Sequence, residues 1–172
     1  MENGNKKTNE ADKNKRDKTA CFAGHRRINK SNIENLALRL DRVIEKLVKQ
    51  CIIYFGCGGA EGFDQLAAYA VIKAKKINPS LKLIMVLPSK NHDSRWSGMD
   101  RRTFQQIIEN ADKVAFISER YNDGCVKKRN IHLIKHSSIC VAYMKYPDSN
   151  TSQIVNHARE NGLKIITLRI FN

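Results

Sequence analysis

Short apolar runs alternate with longer amphipathic stretches along most of the chain, and polar turns separate them. Between residues 32 and 50, apolar side chains recur with a period of about 3.6 residues, which predicts an amphipathic helix with Ser31 as its cap. Further amphipathic stretches predict helices at residues 66–77, 104–111, 125–136 and 151–161. The apolar runs predict strands at residues 19–23, 51–55, 81–87, 114–117, 139–144 and 164–168.

This alternation of strands and helices, with no convincing hairpin turn, predicts the α/β fold class. Strands with nearly continuous apolar sequence are typical of parallel sheets that are covered on both faces. We therefore expect residues 19–172 to form a single doubly wound, mostly parallel sheet with helices on both faces. Residues 1–18 are polar and lack hydrophobic periodicity, so burial cannot offset their ordering entropy and we predict a flexible polar tail.

The net charge of +14 belongs mostly to the predicted domain, because the tail holds six basic and four acidic residues. The remaining 25 basic and 13 acidic residues leave the domain at +12. A basic surface attracts polyanions, including nucleic acid, through a field that is independent of sequence. Single-stranded nucleic acid is therefore one possible partner, although small basic proteins also carry such charge simply for solubility.

The remaining composition excludes several classes of protein. No apolar run approaches the roughly 20 residues that would span a bilayer, so we predict no membrane partner. The chain also lacks an apolar stretch of signal-peptide length near its start, and we expect a cytoplasmic protein. The histidines show no metal-ligand spacing with acidic or thiol partners, so we predict no metal. We also expect no cofactor.

Five cysteines occur at irregular spacings and without a Cys-x-x-Cys motif. We interpret them as reduced thiols that pack as small hydrophobic side chains. Cys57 is an exception, because it lies inside a glycine-rich loop just before a predicted helix. A helix N-terminus can lower a thiol pKa, which makes Cys57 a minor candidate nucleophile.

That glycine-rich loop, residues 56–64, is the strongest candidate for a ligand site. Its glycines allow positive φ and close approach of a ligand to the backbone, and the following helix start favours negative charge. The sequence is neither a P-loop nor the usual dinucleotide fingerprint, and a tight strand-to-helix turn would also need glycine. Asp64 is placed to accept ribose hydroxyls or to cap the helix, and Glu61 is a candidate acid or base or a solvated loop residue.

Ligands of open α/β sheets bind beyond the carboxyl ends of the strands, so the other loops at that edge also matter. His25 and Arg26 follow Gly24 at the end of the first predicted strand, and together they are candidates to bind a phosphate. Trp96 lies in a polar segment after the third strand, where it is a candidate to stack on a base or to cover a subunit contact.

Several of these pieces, in this order, resemble the YpsA-like branch of the SLOG superfamily, which also holds the DprA-like DNA-processing proteins and the LOG phosphoribohydrolases. The resemblance covers nearly all of residues 19–168. It is carried by Cys-Phe-Ala-Gly-His-Arg at 21–26, Gly-Gly-Ala-Glu-Gly-Phe-Asp at 58–64, Leu-Pro at 87–88 with Trp96, and Arg129-Asn130. It implies a Rossmann-like domain that binds nucleotides or relatives of ADP-ribose and NAD, and that forms homodimers or larger homo-oligomers.

The resemblance also implies which residues line the pocket. Together with the loop analysis, it gives the predicted ligand-binding residues as Gly24, His25, Arg26, Gly58, Gly59, Ala60, Glu61, Gly62, Asp64, Trp96, Arg129, Asn130 and Thr151. Two features depart from the family pattern. Residues 148–152 stand where relatives carry a second glycine-threonine turn, and the phosphoribohydrolase signature loop is absent.

Three functions therefore remain open. The favoured hypothesis is a module that senses or sequesters a nucleotide-derived small molecule in the glycine-loop pocket. The first alternative is an enzyme that cleaves nucleotides, of phosphoribohydrolase or another type, with Glu61, Asp64 and His25 as candidate catalytic residues. The second alternative is a DprA-like protein that binds single-stranded DNA.

Overall fold

A computed structural model describes residues 3–96 and 98–169 of the chain. Within these residues the chain forms six strands: β1 (Thr19–Gly24), β2 (Tyr54–Cys57), β3 (Lys82–Ser89), β4 (Lys113–Ser118), β5 (Ile139–Tyr143) and β6 (Lys164–Leu168). The helices of the same residues are α1 (Asn3–Asp17), α2 (Lys30–Lys49), α3 (Phe63–Ile77), α4 (Gly98–Asn110), α5 (Cys125–Lys135) and α6 (Asn150–Glu160). Residues 1, 2, 97 and 170–172, which the predicted tail and domain include, lie outside the described residues.

The six strands form one sheet in the order β4-β3-β2-β1-β5-β6, and every neighbouring pair is parallel. This confirms the predicted α/β class with a doubly wound parallel sheet. Side chains of β1 alternate between the two faces, so that Phe22 packs in the cluster beneath α2 and α3, whereas Cys21 packs in the cluster beneath α5 and α6. Two apolar layers therefore hold the helices onto opposite faces of the sheet.

The second strand begins three residues later than predicted, at Tyr54 instead of Cys51. Cys51 has a φ of 64°, and the Ile52 amide donates to the Leu47 carbonyl at 3.0 Å. These are features of a left-handed helix C-cap, a position that glycine usually occupies. Because a cysteine stands here instead, the sequence pattern places the helix end and the strand start wrongly.

The start of α2 also differs from the prediction. Ser31 lies inside the helix, and Asn29 occupies the N-cap position without a side-chain capping bond. Ser31 is therefore not the cap.

Among the helices that the structure describes, none combines the length and the apolar sequence that a membrane span requires.

The segment predicted as a flexible tail contains α1, a regular helix. Its residues are mostly Lys, Asn, Asp, Glu and Ala, several of which are good helix formers despite the missing apolar stripe. The last turn contacts the domain: the Lys15 Nζ lies 5.0 Å from the centre of the Tyr54 ring, and the Thr19 hydroxyl donates to the Lys15 carbonyl at 2.6 Å. The sequence did not predict this helix, and the flexibility of the tail stays a prediction.

Candidate functional site

The chain changes direction in the sheet between β1 and β5. From β1 it moves outward through β2 and β3 to β4, and it then crosses to the other side of β1 to form β5 and β6. Such a switch point leaves a crevice beyond the carboxyl ends of the strands, where open α/β sheets bind ligands. A cleft of about 860 Å³ lies at this point, lined by β1 and the residues that follow it, by the start of α3, and by α5 and α6.

Eight of the predicted ligand-binding residues line this cleft: Gly24, His25, Arg26, Ala60, Asp64, Arg129, Asn130 and Thr151. Segments far apart in sequence therefore meet at one edge of the sheet. Five of the predicted residues are absent from the lining of the described cleft: Gly58, Gly59, Glu61, Gly62 and Trp96. For the glycines and for Trp96, the structure shows what they contact instead.

Asp64 and Arg129 form a buried ion pair at the floor of the cleft. The Arg129 Nη1 lies 3.6 Å from the Asp64 Oδ2, and the residues are only 4% and 7% exposed, respectively. Burial raises the pKa of the Asp64 carboxyl, while the Arg129 charge and a 3.2 Å hydrogen bond from the Ala60 amide oppose that rise. Among the described residues, the Nε and Nη1 of Arg129 have no hydrogen-bond acceptor. The guanidinium is thus a buried cation with unsatisfied donors beside a cleft.

Gly58 makes room for this guanidinium. A Cβ at position 58 would lie 1.7 Å from the Arg129 Nη1 and 2.8 Å from the Asp64 Oδ2. Gly58 is therefore needed for the site although it does not line the cleft, because the arginine occupies the space that a side chain at position 58 would fill.

The other two loop glycines shape the turn against protein rather than against the cleft. Gly59 has a φ of 70°, and its missing Cβ would lie 2.6 Å from Leu87. Gly62 has a φ of 75° and faces the Arg26 carbonyl, only 2.0 Å from where a Cβ would be. Both need glycine for conformation and for close packing, which is the alternative that the sequence left open.

His25 has both ring nitrogens engaged by the protein. Its Nε2 accepts a hydrogen bond from the Lys145 backbone amide at 2.8 Å, and its Nδ1 lies 3.2 Å from the Thr151 hydroxyl. Burial, and then the nearby Lys145 charge, lower the pKa of the imidazole. His25 thus links the loop after β5 and the first turn of α6 to the end of β1.

Trp96 packs on the far side of the glycine loop. Its ring centre lies 5.0 Å from that of His92 and 5.2 Å from that of Phe104. The His92 Nε2 in turn lies 3.2 Å from the Gly59 carbonyl, within hydrogen-bond distance. Trp96 therefore supports the glycine loop through His92, and its interpretation as a base-stacking residue lacks support from the described cleft.

The expectation of a lowered thiol pKa at Cys57 is wrong. Burial raises the pKa of the Cys57 thiol well above its ordinary range, and the nearby Asp64 charge adds to this effect. The Cys57 Sγ donates to the Asp64 backbone carbonyl at 3.1 Å. All five cysteines are free thiols, and it is Cys51 that is exposed. Among the described residues, no group of three or more His, Cys, Asp or Glu side chains is arranged to hold a metal ion.

The predicted ligand-binding residues leave out part of the cleft wall, which comes from the loop before α5 and from α5 and α6. Residues in this group include Tyr121, Asp123, Lys127, Gln153 and His157. Tyr121 is 57% exposed. The signal that could have identified them is Gly124, the left-handed N-cap of α5 with a φ of 88°, because it fixes how the loop after β4 enters the helix.

Comparisons with known proteins agree with this architecture. In sequence, the chain is 30% identical over 138 residues to an uncharacterised SPbeta prophage-derived protein, YoqJ, of Bacillus subtilis, covering 73% of this chain and 81% of that protein. It is also 28% identical over 111 residues to the UPF0398 protein BH1768 of Halalkalibacterium halodurans, covering 63% of this chain and 59% of that protein.

In structure, the chain is similar to the DNA processing protein A (DprA) of Streptococcus pneumoniae, with a TM-score of 0.65 and 14% identity over 89% of this chain. It is similar also to DprA of Helicobacter pylori, a protein described as binding single-stranded DNA, with a TM-score of 0.61 and 18% identity over 89% of this chain. The chain spans 50% and 66% of those two proteins. These likenesses establish the Rossmann-like fold.

The family model of the YpsA proteins, described as the YspA SLOG family, matches residues 24–169. This span begins at the last residue of β1 and ends just after β6, so it includes all of the cleft lining except residues 21–23. The predicted resemblance is confirmed: the chain belongs to the YspA SLOG family.

Proposed function

We propose that the cleft between β1 and β5 binds a nucleotide or a nucleotide-derived small molecule related to ADP-ribose or NAD, as a sensing or sequestering module. The observation that carries this proposal is Arg129, a guanidinium that is 4% exposed, borders the cleft and has unsatisfied donors on Nε and Nη1. Leaving buried charged donors unpaired is costly, and an anionic group such as a phosphate in the adjacent cleft would help to balance the Arg129 charge.

The surroundings of Arg129 suit a ligand that is larger than a phosphate ion. The cleft volume of about 860 Å³ falls within the usual range of small-molecule sites, roughly 300–1,000 Å³. Arg26 and Lys127 add positive charge to its wall, while Tyr121 presents an exposed aromatic ring on which a base could stack. A nucleoside diphosphate combines the anionic and aromatic groups that these side chains recognise.

Binding is favoured over cleavage because the candidate catalytic residues are engaged or remote. Asp64 is paired with Arg129, and both nitrogens of His25 have protein partners. Glu61 is absent from the lining of the cleft. Hydrolysis of an N-glycosidic or phosphoester bond needs an acid or base that can reach the scissile bond, and none of these three meets that need as the cleft stands.

A thermal-shift screen with NAD, ADP-ribose, cyclic ADP-ribose isomers and mononucleotides tests the proposal. We expect a rise in Tm with at least one ligand that contains a diphosphate. Arg26→Ala should weaken the response, because Arg26 is exposed and lines the cleft. Arg27→Ala is the matched control, an exposed neighbour outside the lining that removes the same charge. Equal responses in both variants would contradict binding at this cleft, and chromatography of the incubated ligand distinguishes binding from cleavage.

Binding of single-stranded DNA remains the second candidate, supported by the +12 charge of the residues after the tail. Affinity for DNA would then fall steeply with salt, as counterion release requires. Affinity for a small ligand should change much less. A steep dependence of DNA affinity on salt, equal in Arg26→Ala and Arg27→Ala, would favour the DNA hypothesis.

Self-association is also part of the proposal, as the predicted homodimer or larger homo-oligomer. Analytical ultracentrifugation of the full chain measures it.

A further inference from the structure

We propose that His25 is a positioning residue that makes the Thr151 hydroxyl a hydrogen-bond donor to the ligand, so that the ligand group bound there is an acceptor such as a phosphate oxygen. The inference about the ligand rests on the proposed function. The inference about His25 itself does not, because it follows from the hydrogen bonds within the protein.

The tautomer of His25 is determined by the Lys145 backbone. An amide N–H can only donate, and the Lys145 amide donates to the Nε2 of His25 at 2.8 Å. Nε2 must therefore be the unprotonated nitrogen of the ring. A neutral imidazole carries one hydrogen, so that hydrogen is on Nδ1.

The hydrogen on Nδ1 then sets the role of Thr151. Nδ1 lies 3.2 Å from the Thr151 Oγ1, so the hydroxyl oxygen accepts from His25 and its own hydrogen must point elsewhere. Thr151 lies in the first turn of α6, lines the cleft and is only 6% exposed. Within the described part of the chain, its hydroxyl has no other hydrogen-bond partner. The free hydrogen is thus available to an acceptor in the cleft, where the positive end of α6 also favours an anion.

The groups around His25 favour the neutral form of the ring. Its charged neighbour is Lys145, and the rings of Tyr143 and Tyr146 lie 5.8 and 5.6 Å from it. Burial first and the Lys145 charge second lower the pKa of His25. A charged ring would put a hydrogen on Nε2 opposite the Lys145 amide, which would break that bond. His25 therefore acts through Thr151 and is not itself a cation for the ligand.

Nuclear magnetic resonance tests the tautomer without any ligand. Long-range proton–nitrogen spectra of the full ¹⁵N-labelled chain at pH 7.5 distinguish the two neutral tautomers and the charged ring, and His25→Gln identifies the His25 signals by their loss. We expect the form with hydrogen on Nδ1. The other neutral tautomer, or a charged ring at this pH, would overturn the proposal.

Calorimetric titration with ADP-ribose tests the role of Thr151. Thr151→Val should weaken binding about tenfold or more, the loss expected for one hydrogen bond to a charged group. Thr151→Ser keeps the hydroxyl and should bind within about threefold of the wild-type chain, a difference well below that loss. His25→Ala should also weaken binding, and adding it to Thr151→Val should cause little further loss, because both changes remove the same donor.

The outcomes separate this inference from the proposed function. If Arg26→Ala loses ADP-ribose binding but Thr151→Val does not, the proposed function stands and the role of Thr151 is wrong. Losses that add fully in the double variant would also contradict the coupling. An affinity that rises on acidification in the wild-type chain, but not in His25→Gln, would overturn the proposal, because a charged His25 facing the anion would produce that rise.

Discussion

Replacing Asp64 with Asn removes the partner of a buried cation while it keeps the shape of the side chain. The Asn amide oxygen can still accept from the Ala60 amide, so the glycine loop keeps its hydrogen bond. The Arg129 guanidinium stays charged and is only 4% exposed. Water can therefore replace the lost carboxylate partner only if the side chain leaves the floor of the cleft.

The magnitude follows from the distance and the burial of the pair. At 3.6 Å, and with an effective dielectric constant of about 20, the attraction between the two charges is about 4–5 kcal/mol. Removing one member of a buried pair typically costs about 3–5 kcal/mol, whereas replacing both with apolar groups is often neutral. We therefore expect Asp64→Asn to lower the free energy of unfolding by about 3 kcal/mol. The double variant Asp64→Asn with Arg129→Met should recover most of that loss.

Urea unfolding followed by far-ultraviolet circular dichroism at pH 7.5 measures these free energies. Asp64→Asn, Arg129→Met and the double variant complete a cycle with the wild-type chain, which isolates the interaction between the two residues. A loss below about 1 kcal/mol for Asp64→Asn would refute the claim of a buried and interacting pair. A double variant as unstable as the sum of the single changes would refute it as well.

Three further results are expected. Gly62→Ala should destabilise the fold by roughly 3 kcal/mol, because the new Cβ would meet the Arg26 carbonyl and the backbone has a φ of 75°. Gly98→Ala has open space around the new Cβ and a φ of 57°, so it should cost only about 1 kcal/mol in the same unfolding assay. Equal losses in the two variants would contradict this account. Burial lowers the pKa of His25 and of His92 in the folded chain, so the unfolded chain takes up protons first as the pH falls. The free energy of unfolding should therefore decrease below pH 6.5, by at most about 1.4 kcal/mol per pH unit for each histidine. His92→Gln should flatten that slope, and an unchanged slope would contradict the burial of a neutral His92. A thiol reagent should label one cysteine rapidly in the folded chain, and Cys51→Ser should abolish that reaction; rapid labelling that survives the substitution would show that a thiol assigned as buried is accessible.

The sequence predicts the framework well because its signals are local. Apolar runs mark the strands, and the 3.6-residue period of α2 marks its buried face, Leu36, Leu40, Ile44 and Leu47. The site edge also follows, since parallel strands carry their loops to one edge of the sheet. His25 and Thr151 are 126 positions apart in sequence, yet both were expected at this edge, and the structure brings them within 3.2 Å.

The sequence fails where a residue's role depends on what packs against it. The glycines of the loop show that some backbone must approach closely, but only the structure reveals that Gly58 faces Arg129 while Gly59 faces Leu87. Cys57 lies before a helix in sequence, but burial decides its pKa and reverses the expected shift. Trp96 lies in a polar segment, and its contacts with His92 and Phe104 depend on the course of the loop after β3.

The central claim is that the buried Arg129 charge binds an anionic group of a nucleotide-derived ligand. Calorimetric titration of ADP-ribose tests it most directly when the wild-type chain is compared with the double variant Asp64→Asn, Arg129→Met. That variant removes the cation, and the unfolding assay establishes its stability independently. We predict measurable binding to the wild-type chain and to Arg27→Ala, and at least a tenfold loss in the double variant. Equal affinity of the wild-type chain and the double variant would contradict the account.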